Sequence, residues 1–230
     1  MIVSKNTQDA LMELIKQCFI ENRKFDRMVS VLNVKFAMNQ TSNLIHRGIA
    51  HWFPALSDKI GEQTLERYNI SVIYGETPSG AEDYSRASDI IAEVERRVID
   101  FQTMFMGVCK IALDNNDIHV YADLLDMLED VNEITEQVIL LRDKMEVYGE
   151  ERIGAYDHDV PDFWILKEDN SMIRLGTPSD TSKYVCLDGQ YALMAHQAGN
   201  CPEWKDDDGS LWFKRTKKLL KFCADNGIEL

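Results

Sequence analysis

Two apolar stripes of helical period, joined by a tight polar turn, constrain this chain more than any other feature. Residues 81–114 carry Ile91, Val94, Val98, Phe101, Phe105, Val108 and Ala112. Residues 117–148 carry Val120, Leu124, Met127, Val131, Ile134, Val138, Leu141 and Met145. Steps of three and four mark one face of an α-helix. At ~1.5 Å per residue each helix is about 50 Å long. The turn Asp114-Asn115-Asn116-Asp117 leaves them no arrangement but that of antiparallel neighbours. Each has an apolar face that the other cannot fully cover, so further helices must pack against the pair.

The upstream sequence supplies them. Leu11, Leu14, Ile15, Cys18 and Phe19 predict a short helix over 7–23, with Thr7 as its N-cap, interrupted by Glu21-Asn22-Arg23-Lys24. A second stripe, Val29, Leu32, Phe36, Asn39, Asn43, His46 and Ala50, predicts a helix over 26–50. Its first half is apolar and its second half polar, so Asn39, Asn43 and His46 point to a buried polar seam that needs partners. Trp52-Phe53-Pro54 ends that helix, and proline suits the first turn of the next, over 54–74. Gly75 to Gly80 is a turn. Residues 1–148 therefore predict a mainly α chain built on an up-down-up-down four-helix bundle with a short N-terminal helix.

From Gly149 the period is lost, and 149–162 reads as a linker. Residues 163–230 read as a small α+β appendage. Phe163–Leu166 and Met172–Leu175 suggest one hairpin. Lys183–Leu187 and Gln190–Met194, around Asp188-Gly189, suggest a second. Leu211 to Ala224 reads as a basic helix ended by Asn226-Gly227.

Composition excludes several classes. Net charge is −14, and most of the excess acid precedes residue 158. Such a surface repels phosphate backbones, which argues against nucleic acid as a partner. No apolar run approaches the ~18–20 residues of a membrane span. The N-terminus lacks a secretory core, so the chain reads as cytoplasmic. Five scattered cysteines without Cys-x-x-Cys suit neither a disulfide framework nor a zinc ribbon.

The polar residues that could carry chemistry centre on His46, His51, Glu62 and Glu66. Imidazole and carboxylate together suit iron, zinc or manganese. On a regular helix His46 and His51 lie about 140° apart at ~100° per residue, so both cannot face one ion. The same residues also suit a metal-free polar seam. Glu-x-x-His, which a classical di-iron bundle needs, is absent from the sequence. His119, Asp123, Asp126, Asp130 and Glu133 form an acidic stripe that reads as a solvated flank. Cys186, His196, Cys201 and Cys223 have zinc-ligand chemistry at spacings that match no known knuckle. No nucleophile elbow, phosphate loop or dinucleotide fingerprint is present.

His51-Trp52, followed by a helix holding Glu62-x-x-x-Glu66-Arg67 and then a Gly-x-x-Pro turn, resembles the Dps branch of the ferritin-like superfamily. In that branch a His-Trp pair closes the first bundle helix, and an acidic residue with a Glu-Arg pair lies on the second. Leu32-Asn33 is similar to the opening of that first helix. The family's second His-Glu pair has no counterpart, since the comparable places hold Ser57-Asp58. The resemblance implies a ferritin-like bundle with iron as its metal. It implies His51, Glu62 and Glu66 as ligands, with His46 in place of the missing histidine. It also implies a homo-oligomeric cage that oxidises ferrous iron at sites between two-fold related subunits. The alternative is a metal-free bundle that works as an interaction or assembly module, with the C-terminal region as its docking element.

Overall fold

The computed structural model describes residues 3–78, 80–166, 174–178, 180–198, 200, 202–206 and 208–228. The chain divides into two compact units, Met1–Lys167 and Glu168–Leu230.

The first unit begins with a single long helix, α1, Lys5–Phe36. The apolar stripe runs straight through the charged stretch at 21–24, because Glu21 occupies a stripe position between Cys18 and Phe25 and is itself buried. Ser4, not Thr7, is the N-cap, and its Oγ accepts from Thr7 N–H at 3.3 Å. The helix stops at Ala37, which takes a left-handed conformation (φ 55°), and Met38 N–H closes back on Leu32 O at 3.0 Å. Alanine pays about 1–2 kcal/mol for that conformation.

The second rod runs from Asn39 to Tyr68 without a break: α2 (Asn39–Ile45), a π turn (His46–Ala50), α3 (Trp52–Ile60), a second π turn (Gly61–Leu65) and a 3-10 turn (Glu66–Tyr68). Pro54 was expected to divide this stretch, yet it lies inside α3. Its missing N–H would orphan the Ala50 carbonyl. Asn22 Nδ2, from α1, donates to that carbonyl at 2.9 Å. Expected helices over 7–23, 26–50 and 54–74 are thus two rods, divided at Ala37 and not at residue 24 or 52.

The third and fourth rods follow the apolar stripes: α4, Ala87–Asp114, begins six residues later than the expected 81, and α5 is Ile118–Tyr148. The four rods make a ferritin-like four-helix bundle around one apolar core. Phe25, Phe53, Phe101 and Phe105 lie at its centre, all within 2% of full burial. The connection 69–86 travels the length of α1. Tyr74 packs edge-on to Phe19 with centroids 5.6 Å apart, Arg27 Nε donates to Glu82 O at 2.7 Å, and Lys35 Nζ pairs with Asp83 at 3.3 Å. The chain therefore re-enters the bundle at the end where the second rod began. The third rod runs parallel to the second, so simple alternation is interrupted by one long crossover.

Residues 149–162 do not form a linker. They hold a 3-10 turn (Glu150–Arg152), α6 (Ile153–Asp159) and the start of another 3-10 turn (Val160–Phe163). Tyr156 and Val160 are fully buried in the bundle core, and Tyr156 Oη donates to Leu141 O at 3.0 Å. Carboxylates from this stretch cap two rods. Asp157 accepts from Thr41 N–H at 2.7 Å and Gln40 N–H at 3.3 Å, at the start of α2. Glu150 accepts from Ala87 N–H at 2.8 Å and Ser88 N–H at 2.9 Å, at the start of α4. At the far end Asp117 accepts from Ser4 Oγ at 2.7 Å. Asp157→Ala should lower the unfolding free energy by about 1 kcal/mol, the usual worth of a cap. Urea titration of the helical signal checks this.

The second unit is α+β, as expected, though its elements fall elsewhere. Its sheet has the order β1-β3-β4-β2, with β1 Arg174–Leu175, β2 Tyr184–Leu187, β3 Pro202–Lys205 and β4 Leu211–Lys214. The β1–β3 pair is parallel and the others antiparallel. Two helices complete it, α7 Gly189–Gln197 and α8 Lys217–Asp225. The second expected hairpin is a strand followed by α7, and the expected basic helix begins as β4. Residues 163–166, the first arm of the other expected hairpin, carry no strand. Of its second arm, 172–173 lie outside the described residues and Arg174–Leu175 form β1. Val185, Leu187, Ala195, Phe213, Leu219 and Cys223 form a separate small core. Among the described residues no helix is long and apolar enough to cross a membrane.

Candidate functional site

The structure brings His46 and His51 together, against the regular-helix geometry. A π turn closes His51 N–H on His46 O at 3.1 Å, so five residues complete a little more than one turn. The two imidazole rings meet with centroids 4.2 Å apart. Asp26, on α1, puts Oδ1 3.5 Å from His46 Nε2. On another side of the same turn the Trp164 ring lies over Gly48. A Cβ there would come within 2.6 Å of the indole, so only glycine admits this packing. His46 is half-buried and His51 exposed.

Glu62 and Glu66 are not part of that group. Both are exposed, and both lie on the same rod as His51. Glu62 is eleven residues further on, roughly 16 Å along the axis at the α-helical rise. Within one chain, His51 and these carboxylates cannot hold one ion. The His-Trp pair also does not close a helix, so the two halves of the motif belong to one rod and not to two.

The other candidates have structural partners. Asp123 pairs with Arg67 at 3.4 Å and Asp130 with Lys59 at 3.2 Å. The ring of His119 stands edge-on to Tyr68 at 4.6 Å. Cys186 is exposed on β2 and Cys223 buried in α8, while the His196 side chain and Cys201 lie outside the described residues. Among the described residues, no three His, Cys, Asp or Glu side chains converge where they could hold a metal ion.

A further polar group, outside the candidates above, lies in the bundle core. Glu21 is only 3% exposed, on the inner side of α1. Arg97 Nη1, from α4, lies 3.1 Å from each of its oxygens, and Gln17 Nε2 donates to Oε1 at 2.6 Å. Arg97 Nε lies 2.8 Å from Glu93 Oε1. Burial raises the Glu21 carboxyl above its ordinary range, and Arg97 only partly offsets that. Glu93, hydrogen-bonded to Arg96 and close to Arg97, is held below the usual range. A signal was present: Glu21 continues the period of Leu14, Cys18 and Phe25, and a carboxylate at a core position demands a partner.

A di-iron bundle needs one inward Glu from each of two helices and Glu-x-x-His from each of the other two. The donor set here does not fit. Phe25, Phe53 and Phe101, from three different rods, fill the interior with ring centroids 5.4 Å and 5.1 Å apart. Among the described residues the buried carboxylates are Glu21 and Asp117, the first held by a guanidinium and the second by the α1 cap.

No protein-family model and no curated protein matches this chain. Solved structures do. The open-pore ferritin of the hyperthermophilic archaeon Archaeoglobus fulgidus superposes with a TM-score of 0.65 at 12% identity, over 72% of this chain and 98% of that one. A humanised archaeal ferritin gives 0.64 at 13% identity, over 69% and 96%. An engineered closed form of the Archaeoglobus fulgidus ferritin gives 0.64 at 12% identity, over the same shares. At such identities the likeness speaks for architecture alone: the chain has the ferritin-like fold.

Proposed function

We propose that this ferritin-like bundle works as an assembly and interaction module, with the C-terminal unit as its docking element, and not as the housing of a metal centre. The filling of its interior carries this reading. Phenylalanine rings occupy the space where inward carboxylates and histidines would have to stand. Of the two buried carboxylates among the described residues, Glu21 already has a cation in Arg97, bonded to both oxygens, and Asp117 is taken up by Ser4 at the start of α1. We place the protein in the cytoplasm, which suits the free thiols of Cys18, Cys109, Cys186 and Cys223.

A second reading keeps iron as a substrate, handled at the surface in the manner of a divergent Dps-like ferroxidase. The contact between His46 and His51, with Asp26 beside them, favours it. In that arrangement Glu62 and Glu66 would belong to a site completed by a second subunit. One experiment separates the readings: elemental analysis and ferrous-oxidation kinetics of the full chain and of His46→Ala/His51→Ala. The module reading expects substoichiometric iron and oxidation no faster than in buffer. Stoichiometric iron with saturable oxidation, lost in the double variant, would overturn it in favour of the surface site.

A further inference from the structure

We propose that the outer face of the α4–α5 hairpin pairs with the same face of a second copy of this chain, about a two-fold axis parallel to the helices. This rests on the assembly reading and specifies its partner. Ile99, Met106 and Leu113 lie on α4 at intervals of seven residues, and Ile118, Leu125 and Ile139 lie on α5 in the same repeat, with Asn132 between the last two. All six apolar side chains are between 37% and 51% exposed. A seven-residue repeat drifts by only about 20° per step, so each line stays on one side of its helix. Both lines flank the groove between α4 and α5, where Gln102 Nε2 donates to Asn132 Oδ1 at 2.7 Å. Scattered exposed apolar residues are normal, but these six lie in two aligned rows on one face of one hairpin.

The Gln102–Asn132 bond fixes the heights of the two rows. Residue 102 is level with 132, so Ile99, Met106 and Leu113 are level with 135, 128 and 121. These fall midway between successive members of the α5 row at 118, 125, 132 and 139. A two-fold axis along the hairpin lays the α4 of one copy over the α5 of the other at unchanged height. Each α4 side chain then enters a gap in the facing α5 row, the knob-into-hole relation of helical seams. The contact is isologous, so one self-complementary face serves both copies.

Charge supports the same register. Beyond its apolar row the exposed flank of α5 is acidic, with Asp126, Glu129 and Glu136, while the matching flank of α4 carries Arg96 and Lys110. In the pair, Lys110 of one copy stands within two residues' height of Asp126 of the other, and Arg96 within two of Glu136. Within α4, Lys110 bonds Asp114 and Arg96 bonds Glu93 and Asp100, pairs whose cations are exposed and can be shared with or exchanged for a facing carboxylate. The size also fits. The two rows together cover the heights of residues 95–116, roughly 32 Å, and two helices side by side are about 20 Å wide. That footprint, about 600 Å² on each partner, lies at the lower end of specific interfaces and suits a reversible dimer.

Sedimentation velocity on the full chain from about 1 to 100 µM tests the pairing. A reversible dimer is expected. Met106→Glu/Leu125→Glu should weaken it at least about thirtyfold, as loss of central anchors does, with unchanged circular dichroism because both side chains are exposed. Lys110→Glu should weaken it too, and Asp126→Lys in the same chain should restore it. An oligomer whose mass ignores Met106→Glu/Leu125→Glu overturns this face and leaves the assembly reading standing. A wild type that stays monomeric throughout overturns both.

Discussion

Replacing Arg97 with leucine should cost the bundle about 3–5 kcal/mol at neutral pH, the penalty for leaving a buried charge without its partner. Glu21 is almost fully buried, and Arg97 is the cation that touches both of its oxygens. Burial already raises the Glu21 carboxyl. Without Arg97 it rises further. A carboxyl raised in the folded state contributes stability below its unfolded pKa, and that contribution is lost as pH rises through the folded pKa. The Arg97→Leu deficit should therefore be largest at neutral pH and shrink in mild acid, where Glu21 takes up a proton. Adding Glu21→Gln should recover most of the loss at neutral pH, since an amide has no charge to strand. Urea midpoints of the helical transition at neutral and mildly acid pH check both statements. A deficit independent of pH would show that Arg97 matters for its packing and not for its charge.

Phe53→Ala should be comparably severe, at about 3–5 kcal/mol. The ring is fully buried. It meets Phe25 of α1 at 5.4 Å and Phe101 of α4 at 5.1 Å, the latter nearly perpendicular at 85°. Edge-to-face contacts add to simple burial. Three rods meet on this one side chain, so the cavity has no single neighbour that can close it. Phe53→Leu fills more of the space and should cost visibly less. Thermal unfolding of the two variants beside the wild type decides the order, and an alanine variant as stable as the leucine one would place the core's weight elsewhere.

Much of this fold was legible in the sequence where periodicity stood alone. The α4 and α5 stripes gave two rods and their antiparallel pairing, though α4 begins at Ala87 and is shorter than the polar lead-in from 81 suggested. The first two rods were misdivided because their punctuation is unconventional. The real break, at Ala37, carries neither glycine nor proline. The proline that looked like a break, Pro54, is accommodated because Asn22 takes up the freed carbonyl of Ala50. Tertiary partners of this kind leave no mark on a local pattern. The direction of the third rod was hidden too, since a connection such as 69–86 can turn back or run on with the same composition.

The candidate site shows the same limit. A helical wheel separates His46 from His51, and only the π turn at His46–Ala50 reverses that. Nothing in the residue types announces such a turn. The resemblance to two successive bundle helices, with His51-Trp52 on one and Glu62 with Glu66 on the next, depended on a boundary that the chain does not have. Glu21, by contrast, was readable: it sits in register with the apolar stripe of α1, and a charged residue at such a position implies a partner.

The carboxylates at the rod ends bear on the order in which this unit comes together. Asp117, Asp157 and Glu150 serve helix starts 113, 116 and 63 positions away in the sequence. A helix forming alone has no access to such an anion: α1 then has only its own cap, Ser4, and the first turns of α2 and α4, which have no cap residue of their own, stay loose. These starts become firm only once the opposite ends of the unit have met. Tightening of the ends is thus a late event shared by the whole unit, and loosening one end releases a neighbour as well. The rods are made locally, but they are finished together.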